Sequence, residues 1–543
     1  MRTIVLIGLA LAAPAPRLAA QTLSDSAVDA WRADLTFLRA SLPQVHPDPF
    51  RWVGAARWDS AAARFGASLP SRQPVEAWVG LQDLVALLGD GHTGINPLWN
   101  ASWPVHYFPF DLESFPEGEF VTAAAPEYGA AVGARVVAVG GMPVDEALRR
   151  VGAGVPQENE WWVRAWAPSR LSYVELVRGA GITTRVQPVR LTLERDGRTF
   201  TIDVNPAGLL PRGQHGARDG IDRSAWVRMA EQAGRADAQP DRPYWFEWVP
   251  EGGMLYVCYR AVVDWPGETN AAFWTRVFAA ADSLPVGRLV IDLRDNTGGN
   301  NFFNLAVIRG IVQRPALDRP DRLYVLIGRR TFSAAMNCVN ELERYTRATF
   351  VGEPTGSRPN MFGDHEALVL PQTGITVMVS RVWWQTMNPR DRRQFVPPRL
   401  YAPRTAESYR AGRDPALEAV LADTLPPLAE RLRGVMGQGD PAAVETFVRA
   451  EAEKPANRYA SAEAAVNSAG YALLNDGQIE SAIMLFELNT RVYPASANTW
   501  DSLGEALVRA NRHPDAIAAF RRALAVDPAF GSSRAWLERL GAR

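Results

Sequence analysis

Residues 290–300 read VIDLRDNTGGN. An apolar run from Val290 to Leu293 ends in two adjacent glycines, Gly298 and Gly299, and a helical pattern over 302–312 follows. Glycines let backbone N–H groups come close to a ligand, and a helix N-terminus adds positive potential. The turn therefore suits an oxyanion or a phosphate. No Gly-Lys-Ser/Thr follows, so it is not a P-loop. The glycines alone fit a plain strand-to-helix turn equally well. Further strands are predicted at 254–259, 289–293, 323–327, 348–351, 367–370 and 375–380, and a further helix at 333–345. Strands alternating with helices predict an α/β layer with partly parallel strands.

Upstream, Trp31, Leu35, Phe37, Leu38 and Leu42 recur at helical spacing, and Val75 to Leu88 repeats the pattern, so 25–90 reads as helical. Residues 133–141 read as a strand and tight turn, and 144–151 as a short helix. RLTLERDGRTFTIDV, 190–204, is a hairpin around Asp196-Gly197. Residues 205–243, rich in Gly, Pro, Arg and Asp, read as an irregular insertion, and 400–440 as a linker with a short helix. Near the C-terminus Ser468, Ala482, Phe486 and Pro494 match Ser502, Ala516, Phe520 and Pro528. Every offset is 34, the tetratricopeptide period, which implies paired helices with a binding or scaffolding role.

The 543 residues are 47% hydrophobic and 22% charged, which fits a globular chain of roughly three to four domains. A net charge of −1 lacks the basic footprint of a nucleic-acid binder. Arg2, the apolar run Ile4 to Ala13, and Ala19-Ala20 read as a signal peptide cut near residue 20, so the expected product is exported, periplasmic or secreted. No later stretch is long and apolar enough for a membrane span. Cys258 and Cys338 read as small buried hydrophobes rather than a bridge. Lys454 is the single lysine.

Two more segments carry chemistry. In LYVLIGRRTFSAAM, 323–336, Ser333 opens a helix after a strand and turn, as in a nucleophile elbow, although Ser333 or Thr331 would also serve as an ordinary N-cap. In LLGDGHT, 87–93, His92 sits between Gly91 and Thr93 at a helix end. Together the three segments resemble the carboxyl-terminal processing, or tail-specific, serine peptidases and their tricorn-core relatives. The resemblance rests on Leu293-Arg-Asp-Asn-Thr-Gly-Gly299, on Thr331-Phe-Ser-Ala334, and on VGEPTG at 351–356. It runs from about 75 to 421 and is weak over 152–250. It implies an α/β, crotonase-like catalytic core, with a PDZ-like module of which 120–151 and 190–204 are pieces. The expected domains are a signal peptide 1–20, a helical region 21–104, a PDZ-like module with insertion 105–250, a catalytic core 251–435, and a linker with two tetratricopeptide repeats 436–543.

The resemblance also implies a site. One branch of the family uses a lysine base 25 residues after the nucleophile, and here that position is Arg358. Arginine does not give up its proton in proteins, so the histidine-dependent branch is the match. In that branch Ser333 is the nucleophile and His92 the general base. The N–H groups of Gly299 and Ala334 form the oxyanion hole, with Gly298 shaping the turn. A carboxylate orients the histidine. Asp391, 58 residues after Ser333, holds that place, although the relatives carry Glu there. Asp90 and Glu353 are alternatives for it, and His365 is an alternative base. Trp161-Trp162 and Trp383-Trp384 read as core packing or as a substrate groove. No metal-ligand spacing appears, and no metal or cofactor is expected. The expected function is an exported serine endopeptidase acting on peptides or unfolded proteins. Its PDZ-like piece would add a substrate C-terminus as a strand, and its repeats would offer a site for a protein partner. The rival is a non-catalytic ligand- or protein-binding member of the same fold. The separation of Ser333 Oγ from His92 Nε2 discriminates between them.

Overall fold

The computed structural model describes residues 21–100, 103–184, 188–210, 220–231, 234–424, 428–437, 439–459 and 462–542; the expected signal peptide lies outside them. Its central sheet has six strands in the order Tyr244–Val249, Met254–Tyr259, Arg288–Asp292, Leu323–Ile327, Thr349–Gly352 and Leu400–Tyr401. The first pair is antiparallel and the other pairings are parallel. Strands covered on both faces should be apolar throughout, and every residue of Met254–Tyr259 and Leu323–Ile327 is buried. Helices Asn270–Ser283, Asn304–Val312 and Ala334–Tyr345 cover one face through Phe273, Trp274, Ile311 and Val339. Helix Pro415–Ala422 covers the other through Ala416, Leu417 and Val420. The result is a mixed α/β chain.

Three sequence-based expectations change here. The sheet starts at Tyr244, ahead of the expected 251 boundary, because Tyr244–Val249 pairs with Met254–Tyr259. The 400–440 segment is more than a linker: Leu400–Tyr401 extends the sheet, and Asp414 caps the following helix while pairing with Arg294. The candidates 367–370 and 375–380 are parts of one long hairpin, Asn360–Val369 with Thr376–Gln385, outside the central sheet. Its exposed stretch Asp364–Ala367 breaks the apolar run that the sequence reading followed.

The N-terminal helices Asp25–Val45, Ala55–Ser68 and Pro74–Ala86 bury Leu38, Leu42, Trp58 and Trp78. That core continues into Ile375, Val377 and Val379 on the long hairpin. The helices are thereby fastened beside the long hairpin, and the loop after Pro74–Ala86 is held against it through Gly94 and Met378. A second sheet, with Phe110–Phe115, Gly118–Ala124, Arg135–Val139, Val189–Arg195 and Arg198–Val204 antiparallel in that order, packs on Val144–Gly152. Helix Glu160–Arg170 follows and adds Ala167 to the same core.

At the C-terminal end, Ala462–Asn475, Ile479–Val492, Ala497–Arg509 and His513–Val526 form successive helix pairs, followed by Gly531–Arg539. A methyl group on Gly470 would lie 2.6 Å from the Phe486 ring, and one on Gly504 would lie 2.5 Å from the Phe520 ring. The same close helix approach thus recurs at the 34-residue offset. Cys258 and Cys338 are buried and unbridged. Among the described residues no helix is long and apolar enough to cross a membrane.

Candidate active site

The turn after Arg288–Asp292 is braced from within. Asn296 donates from Nδ2 to the Tyr259 carbonyl, 2.8 Å, and its Oδ1 accepts from Gly298 N, 2.9 Å. Gly298 and Gly299 have φ of 110° and 138°, a region open to glycine. Both also lack room for a side chain. A methyl on Gly298 would lie 2.6 Å from Ser333 Cβ, and one on Gly299 would lie 2.2 Å from the Val262 carbonyl oxygen.

The Ser333 turn is tied to that loop. Thr331 Oγ1 donates to the Leu293 carbonyl, 2.8 Å, and Phe332 N donates to the Asn296 carbonyl, 3.1 Å. Ser333 then adopts φ 56° and ψ −126° immediately before Ala334–Tyr345. A non-glycine residue held there stores about 1–3 kcal/mol of strain. Its side chain makes no capping hydrogen bond, so the ordinary N-cap reading does not hold for Ser333. Ser333 Oγ instead lies 2.9 Å from His92 Nε2, across 241 residues of sequence.

The N–H of Gly298 is taken by Asn296, which leaves Gly298 to shape the turn. The N–H of Ala334, next to Ser333, and that of Gly299, next to the Gly298 that packs against Ser333, donate no hydrogen bond among the described residues. They can serve as the two donors of an oxyanion hole.

His92 is placed by its own loop. Asp90 Oδ1 accepts from His92 N, 2.9 Å, while Asp90 Oδ2 accepts from Thr93 Oγ1, 2.5 Å, and Ser380 Oγ, 2.6 Å, and lies 3.0 Å from His46 Nε2. Thr93 Oγ1 accepts from Ser380 N, and Gly94 pairs with Met378, so the loop is stitched to the long hairpin. Burial pushes the Asp90 carboxyl up, but its hydrogen bonds and the nearby His92 together bring it down to about 2. Asp90 is therefore a buried anion that holds the His92 backbone rather than its ring.

The His92 ring stacks on Phe332, 4.4 Å between centroids, and Phe332 stacks on Trp162, 4.1 Å. Burial lowers the His92 pKa to about 4 against the pull of Asp90 and of the Phe362 backbone, and His365, 6.2 Å away, lowers it further. The ring is thus neutral near pH 7 and able to accept a proton. Its Nδ1 is buried and without a hydrogen-bond partner.

The expected orienting carboxylate, Asp391, does not meet that nitrogen. Its oxygens accept from Arg393 N, Nε and Nη2, and Arg393 also pairs with Glu343. This corrects the sequence-based placement: the arginine two residues on engages Asp391 locally. Glu353 is likewise held by Arg329. Arg358, at the position of the other branch's lysine, lies over Trp52 and donates from Nε to Gln394. Trp161 and Trp162 are buried, as core packing requires.

The sequence reading missed Glu158, just before helix Glu160–Arg170. Its Oε2 accepts from Ser357 Oγ, 2.7 Å, and Arg358 N, 2.8 Å, while its Oε1 is buried with no partner. One oxygen each of Glu158 and Asp90 and one ring nitrogen of His92 lie within 4.8 Å of one another. Asp90 in this group already serves four donors. No pattern within 152–250 marks Glu158; its neighbours come from residues about two hundred positions downstream.

No family model and no curated protein matches this sequence. Solved structures match its shape. Mature CPAF complexed with lactacystin aligns with a TM-score of 0.53 and 14% identity, over 72% of this chain and 97% of its own. A point mutant of CPAF gives 0.54 and 13% identity, over 74% and 99%. This chain has the fold of CPAF. At such identities the likeness is one of fold.

Proposed function

We propose that this protein is an exported serine endopeptidase of the carboxyl-terminal processing type, histidine-dependent branch, acting on peptides or unfolded proteins. The observation that carries the reading is the 2.9 Å approach of His92 Nε2 to Ser333 Oγ. Ser333 stands in a strained turn beside two uncommitted backbone donors. Ser333 Oγ attacks the scissile carbonyl as its proton passes to His92 Nε2, and the carbonyl oxygen becomes an oxyanion held by Gly299 N and Ala334 N. His92 then gives the proton to the leaving amine, and the C–N bond breaks. Water, deprotonated by His92, hydrolyses the acyl-Ser333 ester and restores the serine.

The antiparallel sheet module serves as the PDZ-like substrate tether in this reading, and the 34-residue helix pairs serve as tetratricopeptide repeats for a protein partner. CPAF was solved with lactacystin bound, which makes lactacystin a first inhibitor to try. The test incubates the protein and Ser333→Ala with an unfolded protein and a mixed peptide library, read by mass spectrometry. Cleavage by the unmutated chain alone supports the reading. Equal cleavage by both removes Ser333 as nucleophile, and cleavage by neither favours the non-catalytic binding protein.

A further inference from the structure

A serine–histidine pair works only in one tautomer. His92 Nε2 must carry a lone pair toward Ser333, so Nδ1 must carry the proton and needs an acceptor. In this molecule Nδ1 is buried and makes no well-formed hydrogen bond, the Phe362 backbone being the other acceptor close to the ring. The carboxylates that the chain pattern offers are occupied elsewhere: Asp391 by Arg393, Glu353 by Arg329, and Asp90 by four donors. Glu158 Oε1 is the matching orphan, a buried carboxylate oxygen with no donor. Glu158 belongs to the same cluster within 4.8 Å, and its side chain runs beside the histidine's own loop, where a methyl on Gly91 would lie 3.5 Å from Glu158 Cγ.

We propose that Glu158 is the positioning carboxylate of His92, and that its ionisation selects the tautomer in which His92 can act as a base. This rests on the peptidase reading of Ser333 and His92. Ionised Glu158 accepts from Nδ1–H and frees Nε2 for the serine proton. Protonated Glu158 keeps its proton and donates an O–H hydrogen bond to Nδ1, so the ring's own hydrogen sits on Nε2 and the ring becomes a donor toward Ser333. The switch between the two forms releases one proton to solvent.

The surroundings place this switch near neutrality. Burial raises Glu158 to about 7, and the Asp90 anion raises it too, against Arg358 and the donors from Arg358 N and Ser357. The other charged or titratable groups around the pair are His365, whose pKa is lowered by partial desolvation of its ring although the stretch around it faces solvent, together with Asp364 beside His365 and His46 on Asp90. Because Oε2 is fixed by two donors, an amide at position 158 keeps its oxygen there and aims its NH₂ at Nδ1. Glu158→Gln should therefore hold the inactive tautomer at every pH.

The experiment records ¹⁵N spectra of the full mature chain labelled at histidine, with His92 assigned by a His92→Gln variant, from pH 5 to 9. The expected result for the unmutated chain is a change from the Nε2–H to the Nδ1–H tautomer through about pH 7. Glu158→Gln should stay Nε2–H throughout, and Glu158→Asp should recover part of the transition. In parallel, kcat/KM should rise through about pH 7 in the unmutated chain. It should fall at least about 100-fold in Glu158→Gln, with the limb near 7 lost. A His92 tautomer that ignores both pH and Glu158→Gln overturns the proposal, as does a tautomer that responds to Asp391→Asn instead. The spectra need no turnover. A chain that fails to cleave but shows the tautomer switch refutes the peptidase reading alone.

Discussion

Replacing Gly299 by alanine tests the oxyanion hole most directly. The added methyl would sit 2.2 Å from the Val262 carbonyl oxygen and 2.8 Å from its carbonyl carbon. Both are backbone atoms, so no rotamer change relieves the clash. Val262 cannot retreat freely, because Val262 N donates to Gly298 O, 2.9 Å, and Asn300 N donates to Val262 O, 2.7 Å. Reaching ordinary contact moves the turn by about 1 Å, a displacement that can cost about 100-fold in rate when reacting groups are misplaced. The φ of 138° adds strain of its own for any residue with a Cβ. The Gly299 N–H then leaves the place where the oxyanion forms. Losing one such donor costs about 10²–10³ in kcat, about 3–4 kcal/mol. The assay is kcat and KM on a peptide chosen from the cleavage library, with circular dichroism to verify folding. The expected outcome is a large fall in kcat with KM nearly unchanged. Gly141→Ala is the control, since φ there is 86° but nothing lies within 4 Å of the added methyl, and kcat should stay within about twofold. A folded Gly299→Ala protein whose kcat falls less than about threefold would refute the assignment of Gly299 N as a donor.

Two further predictions concern stability. Asp90 is an anion with its pKa lowered from 3.8 to about 2, so it contributes about 2 kcal/mol above pH 4 that is lost as pH falls through 2. Asp90→Asn should lower the melting temperature at pH 7 by several degrees, and the gap from the unmutated chain should narrow towards pH 2; a constant gap would contradict the anionic role. In the C-terminal helices, Gly504→Ala drives a methyl to 2.5 Å from the buried Phe520 ring. Overpacking of this kind costs about 1–3 kcal/mol, partly offset by the better helix propensity of alanine. Limited proteolysis should cut the tail earlier in this variant, and peptide cleavage should keep its rate.

The parts of the site legible in sequence are those whose geometry is local. The Leu293 to Gly299 pattern folds as a braced turn because Asn296 Oδ1 accepts from Gly298 N two residues on, while its Nδ2 reaches Tyr259 O on the neighbouring strand. The Thr331 to Ala334 pattern has a local brace too, Gly328 N donating to Thr331 Oγ1, to which Thr331 Oγ1 adds a longer-range tie to Leu293. Propensity alone would make Ser333 a cap, and the strained φ of 56° is what redirects its hydroxyl to His92. No periodicity could have paired residues 92 and 333; only the likeness to a known constellation did. Asp391 went wrong for a local reason that the sequence did contain. It is followed by Arg392 and Arg393, and a carboxylate two residues from a guanidinium is easily captured. Glu158 had no local signal, because its chemistry is made by Gly91, Ser357 and Arg358 from other parts of the chain.

The distribution of these residues explains why the site needs so much scaffolding. Ser333 comes from the central sheet, His92 from the loop after the N-terminal helices, and Glu158 from the start of helix Glu160–Arg170. Each body has an apolar core and the cores meet: that of the N-terminal helices takes in Val377 and Val379 of the long hairpin and Tyr173 and Leu176 after helix Glu160–Arg170, and Trp162 packs on Phe332. The interfaces are fixed further by directional groups. Asp90 and Thr93 bind the histidine loop to Ser380, Arg170 Nη2 donates to Gln82, and Asn159 Nδ2 donates to the carbonyls of Thr355 and Gln394. The aromatic stack of His92, Phe332 and Trp162 draws one ring from each of the three bodies. Hydrogen bonds and stacked rings set position to a few tenths of an ångström, whereas apolar contact tolerates sliding. A site drawn from three bodies therefore depends on buried polar contacts at their joints as well as on shared apolar packing, and Asp90, with its four donors, is the most heavily used of those described at the site.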